Sequence, residues 1–111
     1  MKMKEIVIRR RMWGRGNTGG FLRNVEGKQC CLGFVCRAFG VPLNAVAGEV
    51  MPAQLGAYRA SLPKWLLVDS DKADVVKAAD INDALDLADD ERELKITAIF
   101  KKHGLRAVFK P

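Results

Sequence analysis

The spacing of apolar positions divides this chain into an opening strand, a glycine-rich loop and a mostly helical body. Ile6-Val7-Ile8, within Lys4 to Arg9, is β-branched throughout and predicts a short strand. From Arg9 to Gly20 the apolar positions give way to arginine and glycine, which predicts a loop. Phe21 to Val25 and Lys28 to Cys30 flank Glu26-Gly27, where glycine supplies the positive φ of a tight turn, so a β-hairpin is expected over Phe21 to Cys30. Cys31 to Phe39 is apolar at nearly every position, as in a buried helix, with Gly40 as its stop and Pro42 barring continuation.

Leu43 to Gly48 has room for one helical turn. Met51-Pro52 and Leu62-Pro63 each place proline in a first helical turn, where its missing N–H costs nothing, and predict two short helices. Ser70 to Leu87 is acidic with apolar Val75, Val76, Ala79, Ile81 and Leu85, and predicts a helix ending near Asn82-Asp83. Asp90 followed by Glu93 has the form of a capping box; Leu94, Ile96, Ile99 and Phe100 continue as an apolar stripe, and Lys101, Lys102 and Gly104 close it. These residues predict a helix from about Asp90 to His103. Leu105 to Phe109 then alternates as a final strand. The expected fold is α+β: a small antiparallel sheet of the first strand, the Phe21 to Cys30 hairpin and the last strand, covered on one face by the Cys31 and Asp90 helices.

With 111 residues, 49% of them hydrophobic and 29% charged, residues 1–111 fit one folded domain with a flexible basic loop at 9–20. No apolar run approaches the ~20 residues of a membrane helix, and the run after Met1 is too short for a signal peptide. The expectation is a cytoplasmic protein with no membrane partner. Three cysteines, two of them adjacent, fit reduced thiols better than a disulfide framework. The net charge of +6 is uneven: Lys2 to Lys28 carries eight basic residues against Glu5 and Glu26, and Asp69 to Glu93 carries ten acids against Lys72, Lys77 and Arg92. Such blocks either attract an oppositely charged partner or face each other across the fold or between subunits. The sequence leaves the oligomeric state open.

Each candidate chemistry has a plainer competitor. Gly14-Arg15-Gly16-Asn17-Thr18-Gly19 matches a dinucleotide-binding fingerprint letter for letter, but it lacks the following helix and the return to a parallel strand, so no cofactor is expected. Cys30, Cys31, Cys36 and His103 fall short of the paired ligands of a structural zinc site, and no metal is expected. Cys31, at a helix start, with His103 as base, is the one weak catalytic pairing on offer; buried packing explains the first and a helix-terminal charge the second. Arg9, Arg10, Arg11 and Arg15 around Trp13 form a basic cluster with one aromatic, the composition that pairs phosphate neutralisation with base stacking, unless Trp13 anchors the loop to the core. These five residues are the candidate binding surface for nucleic acid or a partner protein.

Trp13 with its glycine-rich loop, Gly27-Lys28-Gln29-Cys30-Cys31-Leu32-Gly33-Phe34, Leu62-Pro63-Lys64-Trp65-Leu66, Ile81-Asn82-Asp83, Asp90 to Ile96, and Phe100 to Phe109 with His103-Gly104 follow one another along the chain. In this order they resemble a family of small uncharacterised proteins found in bacteria, their phages and prophages. The resemblance runs over nearly the whole chain. It implies a mobile-element origin and transfers no catalytic residue. The functional expectation is an accessory protein that binds another macromolecule, a host or phage protein first and nucleic acid as the alternative, ahead of a thiol-dependent hydrolase or transferase.

Overall fold

The computed structural model describes residues 3–18 and 20–111; Gly19, the last glycine of the fingerprint-like stretch, lies outside them. Two strands, β1 (Lys4–Arg9) and β2 (Leu105–Lys110), bracket a helical middle composed of α1 (Cys31–Ala38), the single turn α2 (Leu43–Val46), α3 (Asp74–Asp83) and α4 (Asp89–Lys102), with short 3₁₀ turns between them. The α+β class holds. The strands, however, pair in parallel, Lys4 beside Leu105 through Arg9 beside Lys110, which corrects the expected antiparallel sheet. Parallel pairing requires a long crossover, and here nearly the whole body of the protein supplies it.

The Phe21 to Cys30 hairpin does not form as strands. Its turn is real: Gly27 has φ +83°, and the Asn24 side-chain oxygen accepts from the N–H groups of Glu26 and Lys28 at 3.0 Å each. Its arms stay close, with Asn24 N–H donating to the Lys28 carbonyl at 2.8 Å and Cys30 N–H to that of Phe21 at 3.3 Å, but no ladder forms because the backbone groups between find other partners. Leu22 N–H donates to the Glu49 carbonyl at 2.7 Å, Gly48 N–H to the Arg23 carbonyl at 3.0 Å, and Gln29 N–H to the Met12 carbonyl at 2.9 Å. The first arm thereby lies across α1, where a methyl group on Gly33 would overlap the Leu22 carbonyl.

Alternate residues of a strand face opposite ways, so Ile6 and Ile8 turn inward and are buried. α1 packs on β1 and α4 on β2; α3 joins the two helices, and Leu32, Val35, Val75, Ile96 and Phe100 fill the centre. The two proline-led segments form 3₁₀ turns, Pro52–Gln54 and Lys64–Leu67, and Gly56–Ser61 forms a third between them.

α4 starts at Asp89, with Ala88 as its N-cap and no side-chain cap bond, so the expected capping box is absent. Of the two acids expected to form it, Asp90 accepts from the N–H of Glu91 and Glu93 is committed to Arg10, while Asp89 bonds Arg15 and Arg92. The basic and acidic blocks of the sequence therefore meet across the fold. Among the described residues no helix is long and apolar enough to cross a membrane.

Candidate functional site

The candidate binding residues of the basic loop separate into a structural group and an exposed group. Trp13 follows the 3₁₀ turn Arg10–Met12, and its backbone is clamped beside Gln29, with Gly14 N–H donating to the Gln29 carbonyl at 2.8 Å. Its side chain is 1% exposed, its ring lies 5.1 Å from that of Phe109, and its indole N–H donates to Asn82 Oδ1 at 2.7 Å. A ring so enclosed has no face on which a base can stack. Arg15 lies over the indole at 4.4 Å, donates to the Arg10 and Trp13 carbonyls, and bonds Asp89 at 3.0 Å. Arg10 donates through two nitrogens to both oxygens of Glu93 at 2.8 Å, and that hydrogen bond raises its pKa. Arg9 and Arg11 point outward.

Asn82, the last turn of α3, joins these parts. Its Oδ1 accepts from the Trp13 indole and, at 2.9 Å, from the Cys31 backbone N–H at the start of α1; its Nδ2 donates to the Gly14 carbonyl and to Asp83, each at 2.9 Å. Beside it, Arg92 is 3% exposed and gives its guanidinium to the carbonyls of Ile81, Asn82, Ala84 and Leu87, closing the end of α3 and the link to α4. Over this network lies an open cleft of about 640 Å³, lined among others by Arg15, Asn17, Lys28 and Asp89. Asp89 bridges Arg15 and Arg92, and the Arg15 hydrogen bond above all holds its carboxyl below the usual value.

The two weak catalytic candidates are not brought together. Cys31 is fully buried, its sulfur 3.8 Å from the Ala78 carbonyl, and burial drives its pKa well above the ordinary thiol value. The expected acidification at a helix start loses to burial, and the N–H of Cys31 is already given to Asn82. Cys30 and Cys36 are likewise pushed up to about 12 by burial. His103 stacks on Trp65 at 4.3 Å with the rings 8° from parallel, and its Nε2 lies 2.7 Å from Asp74 Oδ2. Lys102 approaches the same oxygen at 3.0 Å; the His103 bond first, then that of Lys102, lowers the Asp74 carboxyl. Asp74, which holds the imidazole, opens α3, and the Cys31 sulfur meets Ala78 one turn further in, about 6 Å along the axis; the imidazole is spent on Asp74 and Trp65 and the thiol on the Ala78 carbonyl. Among the described residues no group of three His, Cys, Asp or Glu side chains stands close enough together to hold a metal ion.

A second region stands out on the turn. Val25 is fully exposed and Phe21 is 42% exposed, and with Arg23, Ala47 and Gly48 they line a small, mainly apolar groove of about 130 Å³. Arg23 Nε is buried there without a hydrogen-bond partner. Sequence patterning assigned Phe21 and Val25 to a strand and gave no sign that both would face solvent.

Fold and site together define a small α+β protein whose most polar interior cluster is structural and whose apolar turn residues Phe21 and Val25 lie at its surface. No protein-family model matches the chain, nor does any curated protein or solved structure.

Proposed function

We propose that this is an accessory protein that acts by binding another macromolecule, with a host or phage protein as partner, and that it performs no catalysis. The observation that carries this reading is the Asn24 to Lys28 turn, which presents Val25 to solvent beside Phe21 and the apolar groove. Both backbone N–H groups fastened by Asn24 keep the tip in shape, so a partner meets a preformed apolar projection. Arg23 lines the same groove and adds a cation that suits an acidic side chain on that partner. The buried, deactivated thiol and an imidazole engaged with Asp74 and Trp65 support the non-catalytic part of the reading.

Affinity capture from host lysate with the wild-type chain and with Val25→Asp tests it. A partner retained in stoichiometric amount by the wild type and lost by the variant is expected. A partner that survives Val25→Asp and Phe21→Ala alike places the interface elsewhere and removes the basis of the proposal.

A further inference from the structure

The fold splits the three-arginine run. Arg10 turns in toward Glu93 and the ring of Phe109, and Arg9 and Arg11 on either side remain exposed. On β1, Arg9 shares the outer face with Glu5 and Val7, opposite buried Ile6 and Ile8. The register then builds three outer rows: Glu5 beside Arg106, Val7 beside Val108, and Arg9 beside Lys110. The first row is an ion pair at 3.3 Å. The third sets two cations on strands about 4.8 Å apart, an arrangement that costs free energy unless an anion lies between them. Among the described residues no carboxylate reaches ion-pair distance of Arg9, Arg11 or Lys110. Because the strands are parallel, both cations stand at carboxyl ends, and Arg11 on the adjoining 3₁₀ turn extends the same end.

We propose that this end of the strand pair is a phosphate-binding surface for nucleic acid, with Arg9, Arg11 and Lys110 each neutralising one backbone phosphate. Three unpaired cations spread over a strand end and the turn beyond it match a repeating anion better than a single small one. Trp13 is sealed in the core and Phe109 is turned to the inner face of the sheet, so the surface contacts phosphates and not bases, and binding is expected to tolerate sequence. The surface is distinct from the Phe21 and Val25 groove and does not depend on the protein-binding reading.

Fluorescence anisotropy with a short labelled DNA duplex and a single-stranded RNA, over a salt series, tests the proposal. Three phosphate contacts give a slope of log affinity against log salt of roughly −2.7 on duplex and −2.1 on single strand, so duplex affinity should fall about forty-fold between about 50 and 200 mM salt. Replacing Arg9 and Lys110 together by alanine should leave one contact and a loss of only about three- to four-fold over the same range. The charge-preserving pair Arg9→Lys with Lys110→Arg should bind as the wild type does, which separates charge from folding. Wild-type protein that binds neither probe at low salt, or a double-alanine variant that keeps the wild-type slope, overturns the proposal.

Discussion

The indole N–H of Trp13 donates to Asn82 Oδ1 at 2.7 Å, and the same oxygen accepts the first N–H of α1, from Cys31, at 2.9 Å. One side-chain amide thus fixes the basic loop, the start of α1 and the end of α3, three segments far apart in sequence. Every hydrogen-bonding group involved is buried, so the arrangement is costly to break piecemeal.

Asn82→Ala should therefore destabilise the protein by about 3–5 kcal/mol, because it strands the Trp13 indole, the Cys31 N–H and the Gly14 carbonyl at about 1–3 kcal/mol each with some relaxation. Asn82→Asp keeps the acceptor but removes the donor to Gly14 and adds a negative charge beside Asp83, so it should also lose stability. Urea denaturation of both variants measures this. A loss below about 1 kcal/mol for Asn82→Ala contradicts the role assigned to this amide.

Gly33→Ala provides a separate measure of how tightly the first arm of the turn lies on α1. Alanine normally favours a helix interior by about 1 kcal/mol over glycine. Here the added methyl meets the Leu22 carbonyl, part of the backbone and unable to swing aside. The substitution should reverse the usual sign and cost about 1–3 kcal/mol, with Leu22 and Phe21 displaced. A stabilised variant in a thermal melt shows that the arm is not seated there.

The sequence showed those elements whose pattern is local. β1 is a β-branched run, α1 an unbroken apolar stretch with Gly40 behind it, and α4 a charged start, an apolar stripe and a glycine stop, and all three stand within a residue or so of their expected limits. Pairing is non-local. Whether β2 joins β1 parallel or antiparallel depends on how α4 delivers it, and the hairpin failed because Leu22 and Gln29 found Glu49 and Met12. Two signals for the buried network are present in the sequence. Asn82 follows Val75 and Ala78 at helical spacing, a polar residue on the buried face of α3, although its place at the end of that helix equally suits a turn or cap. Arg92 likewise precedes Ile96 and Ile99 on the buried stripe of α4. Of the outward cations, Arg9 and Arg11 were in the sequence cluster, but Lys110 joins them only through the parallel register.

The three thiols should be unreactive in the native state. Cys31 and Cys36 are wholly buried and Cys30 nearly so, and all have pKa values raised by desolvation. Iodoacetamide should modify them only at the rate at which the protein opens, together and not one ahead of the others. Cys31→Ser should leave partner binding unchanged. One thiol reacting quickly and stoichiometrically in native buffer contradicts the burial described here.

The contact between Asp74 and the end of α4 carries a pH dependence of definite sign. The folded carboxyl of Asp74 lies below its ordinary value of 3.8, chiefly because of His103 and then Lys102, and Asp89 is depressed likewise by Arg15. A carboxyl depressed by folding contributes stability that is complete above its unfolded pKa and is lost as pH falls through the folded one. Wild-type stability should consequently decline on acidification from about pH 5 downward. Asp74→Asn has no such proton to gain, so its deficit should be largest near neutrality and shrink toward acid, the two stability curves converging. Urea midpoints at a series of pH values measure both curves. If they run parallel through the acid range, the carboxylate of Asp74 contributes nothing as a charge, and the stacking of His103 on Trp65 is what holds α4 to its neighbours.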